Sequence, residues 1–163
     1  MHSNEEALIS GEIFVPDARM TASSQWSMYV GPERARIDTV VQGSFKGAWE
    51  SEIPQPGEWI QVEFSASMIV QSVKTRGRSD VAYWVTSYEL HFSQDGLNWE
   101  AYQEPYGTIK VFSGNNDQNT PVEHFLQAAI RAKYVRIVAL TFKGAVSLRF
   151  ELYGSHYSGR WRL

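Results

Sequence analysis

The sequence predicts an all-β domain, an antiparallel sandwich or barrel of many short strands, and three observations carry that prediction. From Trp84 to Ser93, Trp84, Thr86, Tyr88, Leu90 and Phe92 alternate with Val85, Ser87, Glu89, His91 and Ser93, the two-residue repeat of a half-buried strand. Asp95-Gly96 then supplies a tight hairpin turn, because glycine accepts the positive φ that such turns need. Helical periodicity is nearly absent, while strand-like runs recur at short intervals with turn residues between them.

Taken in order, Gly11 to Val15 is a short candidate strand, and Trp59 to Phe64 alternates Ile60, Val62 and Phe64 against Trp59, Gln61 and Glu63. Met68 to Thr75 and Ile109 to Phe112 follow, then Val122 to Leu126 and Lys133 to Leu140. In the last run Val146, Leu148, Phe150 and Leu152 alternate with Ser147, Arg149, Glu151 and Tyr153. Long loops interrupt this regularity at Ser24 to Arg34 and Val41 to Gly57, with a shorter one at Gly77 to Tyr83. Long loops in a compact domain are usually functional, so binding is expected there.

Composition narrows the function. A chain of 163 residues that is 43% hydrophobic and 13% aromatic is long enough for one domain with its own core. A net charge of −3 gives no general attraction to nucleic acid, so none is expected as a partner. No apolar run reaches the length of a spanning helix, and the acidic N-terminus lacks the pattern of a secretory signal. Without cysteine there are no thiol nucleophiles, disulfides or thiolate metal sites. The chain also lacks Gly-x-Ser-x-Gly, His-Glu-x-x-His and a glycine-rich phosphate loop, and no histidine has a ligand-spaced partner. A non-enzymatic function is expected.

The strings Met20-Thr21-Ala22-Ser23-Ser24, Arg34-Ala35-Arg36-Ile37-Asp38, Gly47-Ala48-Trp49 and Glu58 to Phe64 resemble the discoidin family, also called coagulation factor five/eight type C. Trp84 to Trp99, Val111 to Asn115, Ile130 to Ile137 and Ser147 to Gly154 extend the resemblance, in the family's order. It implies a discoidin domain over 11–154, between an N-terminal extension (1–10) and a C-terminal tail (155–163). The implied fold is a galactose-binding-like jelly roll, an antiparallel β-sandwich with ligand loops at one end. Members recognise phosphatidylserine membranes, galactose-type sugars, collagen or peptides, so the resemblance implies an extracellular or cell-surface binding module and leaves the ligand open. Most extracellular members close the domain with a disulfide. Here Ser155 follows Leu152-Tyr153-Gly154 where the second cysteine is usual, and Ser3 lies near the first. Such a bridge would contribute roughly 4–5 kcal/mol in the chain-entropy model. Phe142 stands where the family usually carries tryptophan.

The first loop, Gln25 to Pro32, places Trp26, Met28, Tyr29 and Val30 where neither strand nor helix spacing buries them. Trp26 and Val30 either fold back onto the sandwich or face a partner; Met28 and Tyr29 are the better candidates for exposure. In the second loop Phe45 and Lys46 sit between Gly43 and Gly47. Phe45 is read as a contact and Trp49 as a packing residue; Glu50 and Glu52 either accept hydrogen bonds from a basic partner or sugar hydroxyls or, as is commoner for surface carboxylates, are merely solvated. In the third, the resemblance to discoidin lectins carries the sugar-bordering arginine and acidic residue onto Arg78 and Asp80. A guanidinium and a carboxylate suit vicinal hydroxyls, with Tyr83 or Trp26 stacking on the ring; an ion pair between Arg78 and Asp80 is the equal alternative.

The expected binding face is Trp26, Met28, Tyr29, Phe45, Lys46, Arg78, Asp80 and Tyr83. The partner is a cell-surface or matrix protein or glycan. An anionic phospholipid membrane gripped by the apolar tips, with Arg76, Arg78, Lys46 and Lys143 gathered beside them, is the alternative, and a galactose-type lectin a second. Arg136, Arg149 and Glu151 are read as sheet-surface or core-edge pairs, and His91 as a solvated group. No cofactor is expected; related folds often hold one structural Ca²⁺ through loop carbonyls and carboxylates, and carbonyl ligands leave no mark in a sequence.

Overall fold

A computed structural model describes residues 5–158. Its strands are β1 (Glu6–Ala7), β2 (Met20–Ala22), β3 (Trp49–Glu50), β4 (Trp59–Arg76), β5 (Trp84–Ser93), β6 (Glu100–Ala101), β7 (Phe112–Ser113), β8 (Val122–Lys143) and β9 (Ser147–His156), joined by short 3₁₀ turns at Asp17–Arg19, Met28–Val30 and Pro32–Ala35. Every pairing between these strands is antiparallel.

Two long bent strands make both layers. Trp59 to Glu63 of β4 pairs with Val138 to Tyr134 of β8, and Met68 to Thr75 pairs with Ala132 to Val122, with the register broken between Glu63 and Met68. The sequence predicts four strands in these regions, and the structure has two. A break in register lets a strand turn from one sheet into the other without ending. The first halves of β4 and the second half of β8 join β2 and β5, with β6 and β7 beyond; the other halves join β9, β1 and β3. Between the layers lie Ile60, Val62, Phe64, Met68, Val70, Tyr88, Leu90, Val135, Ile137, Leu148, Phe150 and Leu152, all buried. The sandwich is an open one, not a closed barrel.

Several elements differ from expectation. Gly11 to Val15 forms a bend closed by one bridge, Ser10 to Phe14, instead of a strand, and only Phe112 of the Ile109 to Phe112 run enters a strand. In β5 the pairing with β8 slips between Val85 and Tyr88. Val85 is therefore buried together with Tyr88 and Leu90, while Trp84 and Thr86 are only half-buried. Asp95-Gly96 does lie in a hairpin, with Gly96 at φ 77°. The connection is wider than a tight turn, since Phe92 pairs with Glu100, and the Asp95 carboxylate organises it by accepting from Leu97 N and Asn98 N, both at 2.8 Å. Those bonds hold the Asp95 carboxyl well below its usual range.

Among the described residues, the first strand is tied to the last without a disulfide. Glu6 and Ala7 pair with Gly154 and Tyr153, and Leu8 and Ile9 are fully buried. The Glu151 carboxylate, also buried, accepts from Ile9 N at 2.8 Å and Ser10 N at 3.0 Å. Ser155 lies opposite Ile69 in β9; Ser3 lies outside the described residues.

Candidate functional site

The apical loops are held by their own polar contacts. In the first, Ser27 Oγ accepts from Tyr29 N at 3.2 Å and caps the turn Met28–Val30. Val30 and Ala35 are fully buried and anchor this stretch, while Met28 and Tyr29, just before Val30, stay outside. The Trp26 backbone N donates to Glu50 O at 3.0 Å, and Lys46 N donates to Tyr29 O at 2.9 Å, which joins the first loop to the second. Beneath them Glu58, buried, accepts from Ser23 Oγ at 2.7 Å, Ser24 Oγ at 2.6 Å and Gln55 Nε2 at 2.7 Å. Burial pushes the Glu58 carboxyl up, but these three bonds outweigh it and hold it below its ordinary value.

The second loop is a reversal in which Gln42 and Phe45 exchange backbone bonds at 3.0 Å around Gly43, at φ 61°. Arg34 clamps it from below, donating to Val40 O at 2.7 Å, Lys46 O at 2.9 Å and Gln42 Oε1 at 3.1 Å. Burial lowers the Arg34 guanidinium. Phe45 packs its ring edge-on to Tyr29 at 5.5 Å.

Arg78 is the centre of the site. It is 6% exposed, and its guanidinium donates from Nη1 to Glu50 Oε1 at 2.7 Å, from Nε to Asp80 Oδ1 at 2.8 Å and from Nη2 to Asp80 Oδ2 at 3.1 Å. Asp80 Oδ1 also accepts from Gly47 N at 3.1 Å. Burial works against all three charges. In Asp80 the bonds and charge of Arg78 outweigh it and hold the carboxyl low; in Glu50 burial outweighs Arg78 and the carboxyl is pushed up. The ion pair read as one of two alternatives is therefore present, joined by Glu50, which the sequence alone does not pair with Arg78.

A pocket of about 520 Å³ opens above this network, lined by Trp26, Lys46, Glu50, Arg78 and Tyr83 among others. Tyr83 is seated on the turn between β8 and β9, where Gly144 has φ 78° and any Cβ would run into the Tyr83 ring. Four expected residues, Trp26, Lys46, Arg78 and Tyr83, thus share one cavity, and Asp80 braces it from behind. Met28, Tyr29 and Phe45 lie outside it on the neighbouring tips. Trp26 is 62% and Met28 63% exposed, Tyr29 and Phe45 each 38%. Trp49 is fully buried, with Nε1 donating to Ser24 O at 2.9 Å.

Four readings need correction. Glu50 is a buried ion-pair partner, not a solvated carboxylate. The expected cationic cluster is partly neutralised: Arg76 pairs with Asp38 at 3.1 Å and Arg78 with two carboxylates, while Lys143 lies over the Trp84 ring at 4.8 Å. Among the described residues, Arg136, Arg149 and Glu151 form no ion pair with an opposite charge. Arg136 is sandwiched between Trp59 and Trp99, at 3.7 and 3.9 Å from the ring centres. Arg149, buried, donates to Gly77 O at 2.7 Å, Thr39 O at 3.0 Å, and Gln118 O and Asn119 Oδ1 at 2.8 Å. Burial pulls its pKa down to about 10. His91 is half-buried and bonded to Glu89 at 2.9 Å. Val40 and Val41, exposed beside the second loop, were not singled out, since a β-branched pair reads first as core.

Calcium does not fit the oxygen clusters seen. Ile9 O, Val15 O, Ser10 Oγ and Asp17 converge on the Arg36 guanidinium at 2.6–3.2 Å, and Arg149 fills the second cluster. A guanidinium already satisfies these oxygens. Among the described residues no group of three or more His, Cys, Asp or Glu is arranged to hold a metal.

The structure is an antiparallel sandwich with a pocket among the loops at one end, a fold that does not by itself set the function. The F5/8 type C domain family matches residues 19–152, and the chain belongs to that family. It is 35% identical over 143 residues to retinoschisin of Takifugu rubripes, covering 84% of this chain and 50% of that protein. It is 33% identical over 162 residues to lactadherin of Rattus norvegicus, covering 94% and 37%. The chain thus spans half or less of these relatives. In structure it resembles discoidin II of Dictyostelium discoideum, with TM-score 0.84 at 20% identity over 97% of this chain and 61% of that one. It also resembles the family 32 carbohydrate-binding module of Clostridium perfringens NanJ solved with galactose, with TM-score 0.64 at 18% identity over 91% and 98%.

Proposed function

We propose that this domain is a non-catalytic recognition module acting outside the cell, and that it docks on a glycan or protein of a cell surface or matrix through the apical pocket and its flanking tips. The observation that carries this reading is the pocket itself: two aromatic side chains, Trp26 and Tyr83, share a cavity with Lys46 and a fixed Glu50–Arg78–Asp80 network. Aromatic faces with a few fixed polar groups favour a ligand with an apolar face and a hydroxylated or amide edge. Because Arg78 is held by two carboxylates, its role is to fix the floor and to offer its remaining N–H groups as directed donors. Lys46, with no side-chain ion pair among the described residues, is the freer cation.

A second reading rests on the exposure of Trp26 and Met28. Apolar groups at a loop tip gain roughly 1.5–3 kcal/mol each on full burial, and a bilayer surface offers that burial. The mixed charge around the pocket, with Glu52 exposed beside Glu50 and Asp80, favours the first reading over an anionic membrane. A glycan array run beside sedimentation with phosphatidylserine vesicles separates the two. Array or matrix-protein binding that Trp26→Ala with Tyr83→Ala removes supports the first; vesicle sedimentation abolished by Met28→Ser with Tyr29→Ser replaces it with the second.

A further inference from the structure

A second cavity, of about 190 Å³, lies on the flank of the sandwich between the first part of β8 and the segment joining β6 to β7. No apical loop contributes to it. Its floor is Phe112, buried and stacked on Tyr88 with ring centres 5.2 Å apart. Tyr102 accepts from Ala128 N at 3.0 Å through its hydroxyl, and Lys110 N donates to Tyr102 O at 2.9 Å. These contacts fix both lips of the crevice to the sheet. Gln103, Glu104, Lys110 and Gln127 bring amide, carboxylate and ammonium groups to its lining. Phe125, also in the lining, is 64% exposed. His124 Nε2 lies 2.6 Å from Ser113 O; a carbonyl only accepts, so Nε2 carries the proton and the Nδ1 edge remains for a ligand.

We propose that this flank crevice is a second carbohydrate subsite, sized for one pyranose ring and independent of the apical pocket. Its volume is below the roughly 300 Å³ at which pockets for drug-sized ligands begin, so it takes a single ring. The chemistry selects the class of ring. An apolar side chain of a protein partner would desolvate the two amides and the Glu104–Lys110 pair, 3.4 Å apart, and return no hydrogen bonds, a loss paid for each group. A sugar offers donors and acceptors around its edge and a C–H face for Phe125. With one subsite at the apex and one on the flank, a module of this kind gains affinity on a multivalent glycan surface, because the second contact is intramolecular.

The test is amide chemical-shift mapping of the whole ¹⁵N-labelled chain titrated with methyl glycosides of galactose, N-acetylglucosamine and mannose, with an apolar peptide as a separate arm. The proposal expects at least one glycoside to shift the amides of 103–104 and 124–127. In Phe125→Ser, and separately in Gln103→Ala, that binding should weaken about tenfold, equivalent to about 1.4 kcal/mol, with the remaining spectrum unchanged. The Trp26→Ala, Tyr83→Ala variant should keep it, so loss of the apical site and loss of the flank site read out separately. Shifts confined to the apical loops, no shift with any glycoside, or shifts at the crevice with the peptide alone would each overturn it.

Discussion

Arg78 neutralises two carboxylates and forms the floor of the apical pocket, and the two roles depend on each other. Glu50 is buried beside it, so removing the guanidinium leaves a carboxylate without its partner. Breaking a buried pair from one side costs about 3–5 kcal/mol, and Arg78→Ala is expected to destabilise the domain toward the lower end of that range, about 3 kcal/mol, because the site faces an open pocket. Urea denaturation checks this; a change below 1 kcal/mol would mean that Glu50 finds water instead. Tyr88 presents the opposite case. Its ring is fully buried and its hydroxyl has no protein partner; burial pushes its pKa far up. Removing an unsatisfied hydroxyl while keeping the ring costs little, so Tyr88→Phe should hold or raise stability, whereas Tyr88→Ala should lose about 3–5 kcal/mol by opening a cavity. The same denaturation series decides it, and a clear loss in Tyr88→Phe would show that the hydroxyl is satisfied after all.

At the scale of elements, strands whose two faces differ were readable and those that change face were not. Ile60, Val62 and Phe64 in β4, and Leu148, Phe150 and Leu152 in β9, point inward as their alternation predicts. In β5 the slip near Ser87 moves Val85 to the core side, and a bulge carries no compositional signal of its own. Alternation likewise does not say that Glu63 and Met68 belong to one bent strand. Arg149 and Glu151 alternate with apolar residues in a strand buried on both faces; alternation cannot distinguish water from a buried oxygen cage on the second face. Near the site, the exposure of Met28, Tyr29 and Phe45 was legible because nothing in their spacing offers burial. Glu50 was not, because its partner Arg78 is 28 residues away and Glu52 looks the same in sequence. Met28→Ser is expected to leave stability within about 0.5 kcal/mol, as for a surface position. A larger drop in thermal midpoint would show that the tip packs onto the protein.

Over the described residues the domain is closed by pairing β1 with β9 and by internal guanidinium groups, without a disulfide. Its response to acid follows from the carboxylates held in its hydrogen-bond networks. Asp80 and Glu58 titrate below their ordinary values of 3.8 and 4.5 in the folded state. Their stabilisation is present above those values and is lost as pH falls through the depressed folded pKa. Glu50 and Glu151 are shifted the other way, chiefly by burial, so their contribution is present at low pH and lost as pH rises through the raised folded pKa. Thermal midpoints should therefore hold or rise as pH is lowered from neutral toward 4.5 and fall below 3.8. Glu50→Gln should flatten the upper part of that profile, and a steady decline from neutral pH would refute the assignment.

The most direct measurement is binding of the labelled domain to intact cells, compared between the native chain, Trp26→Ala with Tyr83→Ala, and Leu97→Ser as an exposed control in the hairpin after β5. The apical face predicts that the double variant folds with an unchanged thermal midpoint and loses binding at least tenfold, while Leu97→Ser binds like the native chain. Native-level binding by the folded double variant would contradict it.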